Sequence, residues 1–147
     1  MNDLQAYLRI RPHLGDEPTS MPYLYPLSDT SVRMTDPTSH DGAGSSRLHL
    51  RVSTVASSIY KFSHVFLPET RQAEFFTKTT LPLVRDLLDG QNGLLFAYGV
   101  TNSGKTYTIQ GGNGPDSAGI LPRTLDVIFN SVEGLHSDGR VCNDQHT

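Results

Sequence analysis

Eight consecutive residues, Gly99-Val100-Thr101-Asn102-Ser103-Gly104-Lys105-Thr106, read G-x-x-x-x-G-K-[ST], the Walker A pattern of a phosphate-binding loop. Glycines at both ends permit backbone angles and close approaches that a Cβ would obstruct, so the N–H groups between them can turn inward around phosphate oxygens. Lys105 would bring a compact positive charge to the β- and γ-phosphates, and the Thr106 hydroxyl is a ligand type that suits Mg²⁺. A helix opening out of the loop would add its partial positive end.

Such a loop needs a strand before it and a helix after it. Leu94-Leu95-Phe96-Ala97-Tyr98 is a short apolar run fit for a buried parallel strand. Lys105 to Ile109 can open the helix. The competing reading is a Gly/Ser-rich surface turn, and the strand–loop–helix context favours a nucleotide site in an α/β fold.

At 147 residues the chain suits one domain with a real core. A net charge of −3 and an isoelectric point near 6.0 leave no basic footprint for nucleic acid or an anionic membrane. Cys142 is the single cysteine, which excludes an internal disulfide and suits a reducing compartment. No apolar run approaches a membrane span, and the start lacks the regions of a signal peptide. The six histidines show no metal-ligand spacing. A soluble, intracellular protein is expected.

From the start, Leu4 to Ile10 alternates as a half-buried strand does, and Arg11-Pro12 ends it. Residues 13–58 form an excursion rich in Pro, Ser, Thr, Asp and Gly, with a short strand expected near Tyr23–Tyr25 and a cleanly alternating one over Arg47–Ser53. Ile59 to Phe66 suggests one further strand. Pro68 to Gly90 reads as helix, with Thr70 as N-cap, Gly90 past its end, and Phe76, Leu81, Val84, Leu87 and Leu88 as the apolar stripe. Pro82 conflicts with a continuous helix, so two pieces meeting near Thr80 are expected. Gly111 to Asp116 is a loop. Leu121, Leu125, Ile128 and Val132 mark a helical face, with Pro122 in the first turn, and residues 134–147 read as a frayed tail.

Taken together, these residues resemble the N-terminal part of a kinesin motor domain. Gly93 to Thr108 is similar to the family's N-G-x-x-F-A-Y-G-x-T-x-S-G-K-T-x-T signature. Arg9-Ile10-Arg11-Pro12 resembles its R-x-R-P, Tyr60 to Phe66 its F-x-F-D-x-V-F with Ser63 in place of Asp, and Gly119 to Arg123 with Ile128-Phe129 its G-I-x-P-R…I-F. Val100, where most kinesins have Gln, resembles the mitotic, cytokinesis-associated kinesin-like class. The resemblance implies a kinesin-like P-loop NTPase fold, a partial sheet flanked by helices. It also implies ATP and Mg²⁺ at Gly99 to Thr106, with Mg²⁺ on Thr106. Arg9, Arg11 and Pro12 would line an adenine pocket, with Tyr107 on its other side, where guanidinium and aromatic planes suit a base.

Two further family motifs, N-x-x-S-S-R-S-H and D-L-A-G-S-E, do not occur after Thr106. Ser45-Ser46-Arg47-Leu48-His49 imitates the first but precedes the phosphate loop, so it is read as a decoy. The chain is therefore expected to be part of a motor, with no complete catalytic set. Contact with microtubules, and dimerisation through a coiled coil, would fall to other segments. Another P-loop NTPase, such as a nucleotide kinase or GTPase, and a non-catalytic truncated piece are the alternatives.

Overall fold

The computed structural model describes residues 4–12, 15, 23–35, 57–114, 116–132 and 134. They divide into two compact units, Met1–Thr70 and Arg71–Thr147. The alternating Arg47–Ser53 segment and the tail beyond residue 134 lie outside the described residues.

The first unit is built of strands. β1 (Tyr7–Arg9) pairs in parallel with β5 (His64–Phe66), placing Tyr7 opposite His64, Leu8 opposite Val65 and Arg9 opposite Phe66. Ala6 and Ser63, 57 residues apart, bond twice at the edge of this pair: Ser63 N donates to Ala6 O at 2.7 Å, and Ala6 N donates to Ser63 Oγ at 3.2 Å. β2 (Leu24–Pro26), β3 (Ser31–Thr35) and β4 (Ser57–Lys61) form an antiparallel sheet in that order. β2 falls on the strand expected near Tyr23–Tyr25. The turn before β3 links the two ladders, because Asp29 O accepts from Val65 N at 2.7 Å and Thr30 O from Phe62 N at 2.8 Å. The core here is Val32, Val65 and Phe66, and the His64 ring stands edge-on to Phe66 at 4.6 Å.

One expectation is corrected in this unit. Ile59 to Phe66 is two strands in two different sheets, not one. The chain changes partner at Ser63: Phe62 N still bonds Thr30 O, one step beyond the Ser31–Lys61 pair, whereas Ser63 N goes to Ala6 O. A run of apolar residues gives no sign of such a change of partner.

The second unit is helical among the described residues. α1 (Gln72–Thr79) opens with Gln, Ala and Glu, all good helix formers, and Glu74 in its first turn and Lys78 in its last complement the dipole. α2 (Leu81–Leu88) follows after Thr80. The break falls where Pro82 demands it: proline has no N–H for the carbonyl one turn back, and its ring suits the first turn of a new helix. The expected cap at Thr70 is corrected, since the cap position is Arg71 and no side chain bonds there. Gly90 takes φ +81 just beyond α2, as a helix-ending glycine does.

Phe75, Phe76, Val84 and Ile120 form this core. Leu87 and Leu88, expected inside, are about half exposed at 47% and 45%. α4 (Ile120–Ser131) also buries a different face from the expected one. Ile120, Arg123, Thr124, Val127 and Ile128 turn inward, at the spacing of a single helical stripe, while Leu121, Leu125 and Val132 face out.

The largest departure is Leu94–Tyr98. The run forms no ladder, and Leu94, Phe96 and Tyr98 are exposed at 84%, 69% and 96%. An inner parallel strand is held by a neighbour on each side, and no described residue of this unit pairs with it. The apolar pattern reports what the segment would bury, without supplying the partner.

Candidate functional site

The run Leu94–Tyr98 delivers the chain into Gly99. A Cβ built on Gly99 would stand 2.5 Å from Ser103 Oγ and 3.2 Å from Ser103 Cβ, so the first loop residue must be glycine for the loop to close on itself. The turn then tightens: Ser103 N donates to Val100 O at 3.2 Å. Asn102 takes φ +64, a left-handed conformation that asparagine tolerates better than most residues. Gly104 follows at φ +97, ψ +13 and is the cap position of the short helix α3 (Lys105–Ile109). Left-handed residues on either side of Ser103 curve the loop backbone, and curvature of this kind can aim nearby N–H groups to one side. The helix expected to open at Gly104 to Thr106 is present.

Lys105 points back into this loop. Its Nζ donates to Gly99 O at 2.8 Å and Val100 O at 2.7 Å. The ammonium is thus held by the loop itself and packs into no core. Val100, Thr101 and Asn102 line the exposed rim, Ser103 and Gly104 are half-buried, and Thr106 keeps an exposed side chain. A curved glycine backbone is the kind that receives phosphate oxygens, and an exposed threonine hydroxyl is a ligand type that suits a hard cation.

Beyond α3 a small closed loop folds over. Gly111 and Gly119 meet backbone to backbone at its neck: a Cβ on Gly111 would stand 2.3 Å from Ser117 O, and one on Gly119 would stand 2.5 Å from Ile109 O. Ser117 closes the tip, its Oγ donating to Gly112 O at 2.7 Å and to Gly114 O. Arg123 from α4 clasps the same loop, with Nε donating to Ala118 O at 2.9 Å and Nη2 to Asp116 O at 3.3 Å.

The four residues expected around an adenine base divide between the units. In the first, Arg9 ends β1 and its Nη2 donates to Thr70 O at 3.5 Å; Arg11 is half-buried and Pro12 exposed. In the second, Tyr107 lies on α3, and its ring rests against Gly112, whose added Cβ would stand 3.3 Å from Tyr107 Cε2. Sequence reasoning missed Gln72 altogether. It is 3% exposed, and its Nε2 donates to Tyr107 O at 2.6 Å and Ser117 O at 3.4 Å. A lone glutamine at the start of an amphipathic helix carries no signal of that kind.

The sequence model of the kinesin motor domain matches residues 11–143. Mouse kinesin-like protein KIF20B is 43% identical over 134 residues, covering 90% of this chain and 7% of that protein. Bovine kinesin-like protein KIF20A is 55% identical over 82 residues, 55% of this chain and 9% of the relative. The chain therefore spans less than a tenth of the length of these two relatives. Among solved structures, a kinesin 6 superposes with a TM-score of 0.67 at 36% identity, covering 86% of this chain and 28% of its own. That likeness carries the P-loop NTPase α/β fold. With the family's sequence model spanning almost all of its length, this chain belongs to the kinesin motor domain family.

Proposed function

We propose that this chain is the ATP-binding part of a microtubule-based motor, whose complete form couples ATP hydrolysis to movement along microtubules. The observation that carries the reading is the closed glycine loop with the Lys105 ammonium on the Gly99 and Val100 carbonyls. A charged donor parked on weak neutral acceptors at the mouth of a concave backbone is ready to exchange them for phosphate oxygens, which bind it more strongly. Gly99 to Thr106 would hold the phosphates, and Thr106 Oγ1 would hold Mg²⁺. Bound there, Mg²⁺ would neutralise charge on the β- and γ-phosphates. The resemblance to the family assigns Arg9, Arg11, Pro12 and Tyr107 to the adenine.

Likeness to kinesin-like relatives supports a place on the microtubule cytoskeleton, with the mitotic spindle and cytokinesis as the setting. Dimerisation, in a complete motor, would run through a coiled coil that these 147 residues do not contribute. The rest of the catalytic cage would likewise come from a complete motor, because Asp126 sits within α4 and no later motif in this sequence supplies a Walker B aspartate.

Phosphate release measured on this chain and on a longer gene product, each with and without polymerised tubulin, tests the proposal. ATP should bind both chains in preference to GTP, and tubulin should stimulate the longer one alone. Absence of stimulation in the longer protein, or equal binding of GTP, would remove the motor reading and favour another P-loop NTPase.

A further inference from the structure

Gln72, outside the phosphate loop, bonds the helix that follows it. α3 is only five residues long, so its last carbonyls must find partners beyond the helix. Thr106 O accepts from Gln110 N at 2.8 Å and Gly111 N at 3.4 Å. Tyr107 O is taken by Gln72 Nε2 at 2.6 Å. The same amide reaches Ser117 O at 3.4 Å, which also accepts from Gly112 N at 3.1 Å. Two carbonyls converge on one nitrogen, so the amide orientation is fixed by chemistry: only the NH₂ end can face them. The residue is 3% exposed and belongs to α1, itself seated by Phe75 and Phe76 in the core.

This bridge controls two surfaces of Tyr107 at once. It holds the backbone of Tyr107 through its carbonyl. Through Ser117 it also holds the small loop whose Gly112 lies against the Tyr107 ring. We propose that Gln72 is a positioning residue for the nucleoside: by tying Tyr107 and Ser117 to α1, it sets where the Tyr107 ring stands and so how well the site distinguishes a nucleotide from bare phosphates. The inference rests on the adenine role assigned to Tyr107 under the proposed function. The two bonds of the Gln72 amide end on Tyr107 O and Ser117 O, outside Gly99–Thr106, so its effect is expected to fall on the base more than on phosphate affinity.

The test compares binding of ATP and inorganic tripolyphosphate, both with Mg²⁺, by calorimetry on the 147-residue chain and its variants. Gln72→Met keeps the length and shape and removes the donor. It should weaken ATP by about three- to tenfold, the worth of a lost buried hydrogen bond, and leave tripolyphosphate unchanged. Gln72→Asn keeps the amide but falls short of bridging both carbonyls, and should show the same selective loss to a smaller extent. In a Tyr107→Ala background, Gln72→Met should have no further effect on ATP, since the group it positions is gone.

A proportionate loss of both ligands, total loss included, would make Gln72 a structural residue only and overturn the inference. So would unchanged ATP affinity in Gln72→Met. If the unsubstituted chain binds tripolyphosphate as well as ATP, or binds neither, the nucleotide reading itself fails. That failure shows in the parent chain before any variant is compared.

Discussion

The ammonium of Lys105 donates to the carbonyl of Gly99, six residues earlier, at 2.8 Å. A long flexible side chain has been folded back and tethered to the first residue of its own loop, with Val100 O as a second anchor at 2.7 Å. Removing it deletes a charge and two loop contacts but no core packing. Lys105→Ala should cost more than about tenfold in ATP affinity, the worth of a charge-assisted contact to phosphate, while far-ultraviolet circular dichroism stays unchanged. Equal affinity in the two proteins would show that phosphate binds elsewhere.

Asn102 holds φ +64 in the middle of the same loop. Asn102→Gly keeps that conformation accessible and should melt above Asn102→Val. A β-branched residue pays for that conformation in sterics, so Asn102→Val should destabilise by about 1–2 kcal/mol and weaken ATP as the loop distorts. Identical melting of the Gly and Val variants would mean that the loop relaxes out of its left-handed turn without cost.

Two glycines with different surroundings give a paired test. Gly119→Ala would drive a Cβ to 2.5 Å from Ile109 O and 2.6 Å from Gly111 N, both backbone atoms that have little room to move. A cost of about 1–3 kcal/mol is expected, with faster hydrogen exchange at the Gly112 and Ser117 amides as the neck opens. Gly90→Ala meets nothing within 4 Å and carries only the strain of φ +81. It should leave exchange in the 111–119 loop at the parent rate.

Phe96 and Tyr98 stand exposed on a backbone outside any helix or ladder. A chain outside regular structure with large aromatic side chains is what chymotrypsin requires. Limited proteolysis should cut first after Phe96 or Tyr98, ahead of Phe75, Phe76 and Phe66, which are buried in helices and a strand. First cleavage within α1 would contradict the packing described here.

What could be read from the sequence follows the range of the forces involved. The turn at Gly99–Gly104 and the helix after it were legible because those glycines are demanded by local geometry at fixed spacing. The break at Thr80 was legible for the same reason, since Pro82 acts on the carbonyl one turn away. Leu94–Tyr98 was misread because strand pairing is a non-local matter that an apolar run cannot decide. α4 was misread because Ile120, Leu121, Leu125, Val127, Ile128 and Phe129 surround much of the helix. Two overlapping stripes fit the spacing, and the buried one includes the polar Arg123 and Thr124. Gln72 stayed hidden because its role is to satisfy carbonyls more than thirty residues away.

The parallel pairing of β1 with β5 bears on how the chain is born. Tyr7 finds its partner only at His64, so the first strand leaves the ribosome long before anything exists for it to join. At about 5–20 residues per second, several seconds pass in which that strand has no ladder partner. Closing so wide a loop also carries an entropic cost that local helices avoid, so strand pairing in the first unit should be slower than the coil-to-helix step of α1 and α2. Synthesis therefore sets the earliest moment at which Arg9, at the end of β1, can be fixed in place.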